Sequence, residues 1–217
     1  MDLTIFTSRR LLVALTLYLT SLFAANTLGL KLMPFLFGTH LSVAVFSFPI
    51  VFIMTDVVGE VFGKETAKSF VIAGFLSNLV FLIYAMISLA MPWSHDASWV
   101  QGAYGTVFGI TARITIASLV AYIVAEYQDV LSFFFFKARF GSRHFWLRSL
   151  MSNIWSQFLD SVLFMSIAFI GVYSWPVLIT TTLSWWVYKV AMGFAFTPLS
   201  YLGIRWLRGE KKQIQKA

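Results

Sequence analysis

The chain has 217 residues, of which 59% are hydrophobic, 18% are aromatic and 12% are charged. Soluble domains carry about 25% charged residues, so this composition excludes an ordinary soluble domain and predicts an integral membrane protein whose partner is the lipid bilayer. In such a chain a net charge of +7 is typical of cytoplasmic Lys and Arg beside anionic lipid, and we do not expect binding to nucleic acid.

Six apolar stretches follow one another, each close to the ~20 residues that a helix needs to cross a bilayer. The first begins after Arg9-Arg10 and resembles a signal peptide, but it continues past Ala24-Ala25 and contains polar residues, which favours a retained helix. No low-complexity linker divides the chain, so we expect a single domain, residues 1–217, with an all-α six-helix membrane bundle. The predicted spans are residues 11–30, 41–62, 67–90, 103–125, 149–171 and 177–199.

Lys and Arg residues are distributed unevenly between the two sides that these spans would create. Thirteen of them fall in alternate segments, starting with Arg9 and Arg10, whereas the other side carries only Lys31. Cytoplasmic loops are enriched in Lys and Arg, so both termini should be cytoplasmic and the number of spans even. The two remaining basic residues, Arg113 and Lys189, both fall within predicted spans.

The fifth predicted span contains three strongly polar residues. Asn153, Gln157 and Asp160 occupy positions i, i+4 and i+7, so a helix places them on one face. A carboxylate facing lipid at mid-membrane costs roughly 3 kcal/mol on insertion scales, so such residues face a bundle interior or a watery cavity and commonly serve function. We interpret the face as a substrate-binding surface; the alternative is that it joins helices by hydrogen bonds.

Further charged residues are predicted inside the membrane. Counted from the start of each span, Arg113, Asp160 and Lys189 fall at a similar depth, whereas Asp56 lies nearer the cytoplasmic end with Glu60 one turn beyond it. Opposite charges that offset one another make such burial tolerable. We predict that these residues line a polar site; the alternative is that Asp160 pairs with Arg113 or Lys189 only to hold the bundle together.

Two other spans carry patterned polar or aromatic residues. In the fourth, a polar stripe ends at Glu126 and Asp129, which we expect to be solvated at the cytoplasmic end of the helix. In the sixth, Trp185, Trp186 and Tyr188 lie near mid-span around Lys189 rather than at an interface. These rings would suit a flat aromatic ligand, and helix packing or lipid contact is the alternative.

No motif for metal, nucleotide or catalysis is present in the sequence. The histidines, His40, His95 and His144, have no paired spacing, so we expect no metal site and no cofactor. With no cysteine, the chain can form neither a disulfide nor a thiolate metal site. Without a phosphate-binding loop, transport would depend on an ion gradient, a partner ATPase or trapping of the substrate.

Short motifs in the right order resemble those of one transporter family. The resemblance covers residues 44 to 190 and is to the queuosine precursor transporters, also called the vitamin uptake transporter family. Lys68 stands where that family would be expected to have Arg. The matching residues are Ser47-Phe48-Pro49, Thr55-Asp56, Glu60-Val61-Phe62-Gly63, Ala112-Arg113-Ile114, Ala117-Ser118, Ala121-Tyr122, Asp129-Val130, Ser152-Asn153, Asp160-Ser161, Ile167-Ala168-Phe169 and Tyr188-Lys189.

The resemblance implies a multi-pass importer of the bacterial inner membrane that carries 7-deazaguanine bases, the cyano- and aminomethyl-substituted precursors of queuosine. A carboxylate could accept a pair of N–H donors from such a base while Lys, Arg or Asn donates to the ring carbonyl. Residue chemistry alone also admits another flat polar heterocycle. The predicted substrate-binding residues are Asp56, Glu60, Arg113, Asn153, Gln157, Asp160, Trp185, Tyr188 and Lys189.

Two other functions remain open from the sequence. The chain could be the substrate-binding membrane subunit of an ATP-driven vitamin or nucleobase uptake system, which copurification with an ATPase would favour. It could instead be an intramembrane enzyme that uses Asp56 and Asp160 as a carboxylate pair, but no catalytic signature supports this and we expect no enzymatic activity. The coupling ion and the oligomeric state cannot be derived from the sequence.

Overall fold

The computed structural model describes residues 9–28, 31–34, 40–108, 112–141, 144–171 and 174–214, without the side chains of residues 32, 34, 40–42, 45, 112–116, 177 and 210–214. The described part consists of helices and one short antiparallel hairpin, in which β1 (Leu32–Pro34) pairs with β2 (His40–Ser42). The helices are α1 (Arg9–Leu28), α2 (Phe48–Phe62), α3 (Lys64–Ala90), α4 (Gln101–Phe108), α5 (Ala112–Phe140), α6 (Phe145–Phe169), α7 (Trp175–Ala195) and α8 (Thr197–Ile214).

The helix α2 is short and buried at the centre of the bundle. It begins at Phe48-Pro49, where proline is favoured because the first N–H groups of a helix have no partner within it. It ends at Gly63, whose φ of +97° is accessible to glycine at little cost and reverses the chain into α3. Because α2 contacts α1, α3, α5, α6, α7 and α8, its side chains reach most of the interior.

The helices α5 and α6 form a long antiparallel pair, and α6 places its polar face inward. On α6 the residues Ser152, Ser156 and Asp160 are buried, whereas Met151 and Trp155 are exposed. This arrangement, polar inside and apolar outside, suits a helix surrounded by lipid, where buried polar groups bond across helices. The predicted polar face of the fifth span is therefore an interior face.

A close helix contact joins α1, α3 and α5 on the other side of α2. A Cβ atom at Gly74 of α3 would collide with the hydroxyl group of Tyr122 and the ring of Tyr18, so only glycine lets these helices approach so closely. The hydroxyl groups of Tyr18 and Tyr122 are hydrogen-bonded to each other, and the Tyr122 hydroxyl donates to the Val71 carbonyl at 3.2 Å. These buried hydroxyls are thus satisfied within the bundle.

Several helix boundaries differ from the predicted spans. The helix that follows residue 111, α5, continues to Phe140 and so extends well past residue 125, the end of the predicted fourth span. The last predicted span comprises α7 and the start of α8, which packs on α2 where Gly203 lies against Val57. The sequence pattern locates apolar stretches but does not mark where a helix breaks within them.

Three of the described helical segments are long and apolar enough to cross a membrane by length and composition alone, namely Arg9–Leu28, Lys64–Ala90 and Ala117–Phe140. The polar residues of α6 and α7 lower their apolar character, and α2 has only 15 residues. The molecule is a helical membrane protein, and the number of spans and the side on which the termini lie stay predictions.

Candidate functional site

A cluster of ion pairs gathers basic residues of three helices around one glutamate at one end of the bundle. Glu60 of α2 accepts from Lys137 at 2.8 Å, from Arg148 at 3.0 Å and from Arg208 at 3.5 Å. We call these four residues the Glu60 cluster. Nearby, Arg10 Nη1 donates to the Trp206 carbonyl at 2.5 Å.

Arg148 is the centre of this cluster. Its side chain is completely buried, its Nη1 donates to the Gly141 carbonyl at 2.9 Å, and its guanidinium lies 5.3 Å from the ring centroid of Phe133. A buried cation of this kind is tolerable only because Glu60 neutralises it. Glu60, predicted as a substrate-binding residue, is therefore occupied by ion pairs and does not line the cavity described next.

A cavity lies between α2, α6 and α7. Its volume is about 40 Å³, far below the ~300–1,000 Å³ of typical ligand pockets. Four of the predicted residues line it, two on α6 and two on α7, and each carries a polar group. The lining residues are Phe48, Pro49, Phe52, Ile53, Asn153, Gln157, Tyr188, Lys189, Met192 and Gly193.

Lys189 and Asp160 form an ion pair between α7 and α6 at the edge of this cavity. The Lys189 ammonium also lies 5.6 Å from the ring centroid of Phe48, within range of a cation–π interaction. Both side chains keep some exposure, 21% for Lys189 and 11% for Asp160, so the pair is not sealed off from the surroundings. The structure thus brings together two residues that the sequence placed at a similar depth.

The two amides on α6 have different surroundings. Asn153 Nδ2 donates to the Ser149 hydroxyl at 3.4 Å, whereas neither amide atom of Gln157 has a hydrogen-bond partner among the described residues. Gln157 is only 2% exposed. A buried amide without partners costs about 1–3 kcal/mol, so Gln157 is a strong candidate for contact with a ligand.

Behind Asn153, two buried carboxyl groups meet. Asp56 accepts a hydrogen bond from the Ser149 hydroxyl, and Asp129 accepts one from the Ser156 hydroxyl at 2.8 Å. The carboxyl groups of Asp56 and Asp129 lie near enough to act on each other. A hydrogen-bonded chain runs from Asp56 through Ser149 to Asn153 in the cavity wall, with Asp129 beside its inner end.

Glu126 adds a third buried carboxyl one turn before Asp129 on α5. It has no solvent exposure, and neither of its oxygens has a partner of good hydrogen-bonding geometry among the described residues. The neighbouring Thr55 hydroxyl donates to the Phe52 carbonyl at 2.8 Å. The expectation that Glu126 and Asp129 are solvated is wrong, because α5 extends well past residue 125 and turns both side chains towards α2 and α6.

The aromatic residues of α7 are divided between the cavity and the outside. Tyr188 lines the cavity. Trp186 donates its indole N–H to the Ile154 carbonyl at 2.9 Å and so joins α7 to α6. Trp185 is 42% exposed and does not line the cavity, so its position fits contact with lipid better than stacking on a ligand.

Arg113 does not lie at the depth of Asp160. It falls in the first turn of α5, sixteen residues or about 24 Å from Asp129, while Asp160 is only four residues from Ser156, the partner of Asp129. The helices are antiparallel, so Arg113 and Asp160 differ in depth by about 18 Å. The Arg113 side chain itself lies outside the described part of the structure.

The sequence analysis did not place the acidic residues of α5 and the serines of α6 in this buried polar region. Asp129 belonged to a motif of the family resemblance, and the Glu126–Asp129 stripe was visible as a helical period, so a signal existed for both. The serines Ser149 and Ser156 lie on the same α6 face as Asn153 and Asp160. Their small hydroxyls supply the donors that a buried carboxyl group needs.

Comparisons with known proteins show the family of the chain. Residues 42–203 match the family described as "Putative vitamin uptake transporter". A Bacillus subtilis protein named "Probable queuosine precursor transporter" is 31% identical over 180 residues, which are 82% of this chain and 77% of that protein. No solved structure matches the chain.

Two further relatives carry the same name but align over a smaller share of their length. The Escherichia coli "Queuosine precursor transporter" is 31% identical over 61% of this chain and 57% of its own. A Haemophilus influenzae "Probable queuosine precursor transporter" is 28% identical over 71% of this chain and 59% of its own. The family match covers most of the sequence, including α2, α6 and α7, and the chain belongs to the queuosine precursor transporter family, also called the vitamin uptake transporter family.

Proposed function

We propose that this chain is a multi-pass importer of the bacterial inner membrane that carries cyano- and aminomethyl-substituted 7-deazaguanine bases. The names of the three relatives support this substrate class. The substrate would bind in the cavity between α2, α6 and α7, against Asn153, Gln157, Tyr188, Lys189 and Asp160. Both chain termini would lie in the cytoplasm, on the side of the Glu60 cluster.

The unpartnered amide of Gln157 is the observation that carries this proposal. Its carbonyl can accept from the N–H donors of a guanine-like edge, and its NH₂ group can donate to the ring carbonyl. Lys189 would add a charge-assisted donor, and Asp160 would accept from the exocyclic amine. A base would thereby satisfy polar groups that the protein leaves unsatisfied in its interior.

The cavity must widen before a base can enter. Its volume of about 40 Å³ is far too small for a purine-like base, since typical ligand pockets have ~300–1,000 Å³. The wall formed by α7 would move away from α2 and α6, breaking and remaking the contacts of Lys189 and Trp186. Such rocking around a buried site is how many small helical transporters expose their substrates to alternate sides.

Uptake of labelled precursor bases tests the proposal directly. Cells with this chain as their only candidate importer should accumulate the label, and Gln157→Leu should abolish most of the uptake because it removes the amide and keeps the size of the side chain. The matched control is Gln128→Leu, because Gln128 on α5 bonds Ser132 and lies outside the cavity. Equal uptake by both variants, or no uptake by the wild type, would contradict the proposal.

A further inference from the structure

Three carboxyl groups meet in the interior of the bundle without a basic partner. Asp56, Glu126 and Asp129 are at most 1% exposed, and no described Lys or Arg side chain forms an ion pair with any of them. Oδ1 of Asp56 and Oδ2 of Asp129 are buried without a hydrogen-bond partner among the described residues, and the two carboxyl groups lie near enough to act on each other. A proton shared between two such carboxyl groups relieves their repulsion and satisfies a buried oxygen.

The basic groups that face this region are engaged elsewhere. Arg148 of α6 is near enough to act on Asp56, but its guanidinium donates to Glu60 and to the Gly141 carbonyl. Lys189 of α7 pairs with Asp160, which itself acts on Glu126 as a like charge. Binding of protons therefore remains the way to offset the negative charge of Asp56, Glu126 and Asp129.

Among the side chains that the structure describes, the other packed helices bring no additional cation to the three carboxyl groups. From α1 and α5, Tyr18 and Tyr122 approach Glu126 with hydroxyl groups that are hydrogen-bonded to each other. On α3, Lys68 pairs with Glu65, and on α8 Arg208 pairs with Glu60. The region is thus a pocket of weak acids enclosed by neutral or already paired groups.

We propose that the Asp56–Asp129 pair, with Glu126 beside it, carries the coupling proton of this transporter and makes import of the base a proton symport. The inference rests on the proposed function for its substrate. It adds the coupling ion, and its site is separate from the cavity.

The helix contacts explain how a proton here can act on the substrate site. Loss of the shared proton leaves two adjacent carboxylates, whose repulsion separates α2 from α5, and protonation lets the two helices close again. Asp56 is linked through Ser149 to Asn153, which lines the cavity. Protonation and closure of the cavity are thereby coupled through one continuous hydrogen-bonded chain.

Infrared spectroscopy of the purified protein tests whether the carboxyl pair holds a proton, and it needs no substrate. At neutral pH the protein should show the C=O stretching band of a protonated carboxyl group, and Asp129→Asn should remove part of it. Asp96→Asn, a change at a fully exposed aspartate in the short 3-10 helix before α4, should leave the band unaltered. Absence of the band, or an equal spectrum for Asp129→Asn and wild type, would overturn the proposal.

Transport by proteoliposomes tests the coupling. An acidic outer solution should drive accumulation of the labelled 7-deazaguanine inside the vesicles. Adding 7-deazaguanine outside should in turn acidify the lumen, as an entrapped pH-sensitive dye reports. Asp129→Asn should retain exchange of labelled for unlabelled base and lose accumulation driven by the pH gradient. If this variant does not fold, Glu126→Gln replaces it, and it should likewise retain exchange and lose accumulation driven by the pH gradient.

The outcomes separate this inference from the proposed function. Exchange that a pH gradient does not influence, or accumulation driven by a sodium gradient at equal pH, overturns the proton symport and leaves the transport of bases intact. Failure of wild-type exchange overturns the proposed substrate, while the infrared band still decides whether the carboxyl pair holds a proton.

Discussion

Glu60 and Asp56 lie one turn apart on α2 and are almost equally buried, yet their surroundings are opposite. Glu60 has three basic partners from α5, α6 and α8, whereas Asp56 meets a second carboxyl group and a serine hydroxyl. The first arrangement joins four helices by charge, and the second is stable only if it holds a proton. Two carboxyl groups on neighbouring turns of α2 therefore have different roles: that of Glu60 joins helices, and that of Asp56 belongs to the proposed proton site.

Removing the Glu60 carboxylate should have the largest effect on stability. Glu60→Ala leaves the buried Arg148 without its counter-ion, and we expect the free energy of unfolding to fall by about 3–5 kcal/mol in denaturant titrations in detergent. The matched control is Glu65→Ala, because Glu65 is 77% exposed and should contribute at most about 1 kcal/mol. Similar losses for the two variants would show that burial of Arg148 does not depend on Glu60.

Lys189 combines an ion pair, like that of Glu60, with a position at the edge of the cavity. Lys189→Met should weaken binding of the base by about 1.5–3 kcal/mol, the usual contribution of a charge-assisted hydrogen bond. Lys68→Met, at a cation outside the cavity, is the control for a general loss of charge. Isothermal titration with the purified protein measures both affinities.

A double variant separates binding from architecture at Lys189. Lys189→Met leaves Asp160 unpaired and should lower stability, and adding Asp160→Asn should restore much of that stability by removing the isolated charge. Affinity should stay low in the double variant if Lys189 contacts the base. Recovery of affinity together with stability would mean that the pair serves only to join α6 and α7.

The helical period was sufficient to predict which polar side chains share one face of α6. Positions i, i+4 and i+7 place Asn153, Gln157 and Asp160 on one side of a helix, and all three are buried in the structure. This part of the site could be predicted because a single helix decides it, and because polar residues in lipid face the interior. The partner of Asp160 could not be predicted, since Arg113 and Lys189 both remained candidates until the helices were packed.

The other errors arose where tertiary packing or the true length of a helix decides the outcome. An apolar stretch from residue 103 to 125 does not reveal that α5 continues to Phe140, which leaves Arg113 far along the helix from Asp129. Glu126 and Asp129 then fall within a helix rather than at its end. Their burial depends on contacts with α2 and α6 that are distant in sequence, and a charge count cannot detect such contacts.

Arg208 should contribute little to the Glu60 cluster. Its side chain is 60% exposed and its distance to Glu60 is 3.5 Å, so Arg208→Ala should cost about 0–1 kcal/mol of unfolding free energy. Denaturant titrations at low and high salt provide the measurement, and any loss should shrink at high salt because exposed pairs are screened. A loss comparable to that of Glu60→Ala would mean that Arg208, rather than Arg148, holds the cluster together.

Asp56→Asn should have the smallest effect on stability, although Asp56 is as buried as Glu60. The amide has the shape of a protonated carboxyl group, its oxygen can accept from Ser149, and its NH₂ group can donate to Asp129. No described ion pair is broken, so we expect the free energy of unfolding to change by less than about 1 kcal/mol. Glu60→Gln, the same change one turn away, should by contrast be strongly destabilising, because it leaves Arg148 and Lys137 without a counter-charge. If Asp56→Asn lost as much stability as Glu60→Gln, Asp56 would have to be ionised in the folded protein, and the contrast between the two turns of α2 would fail.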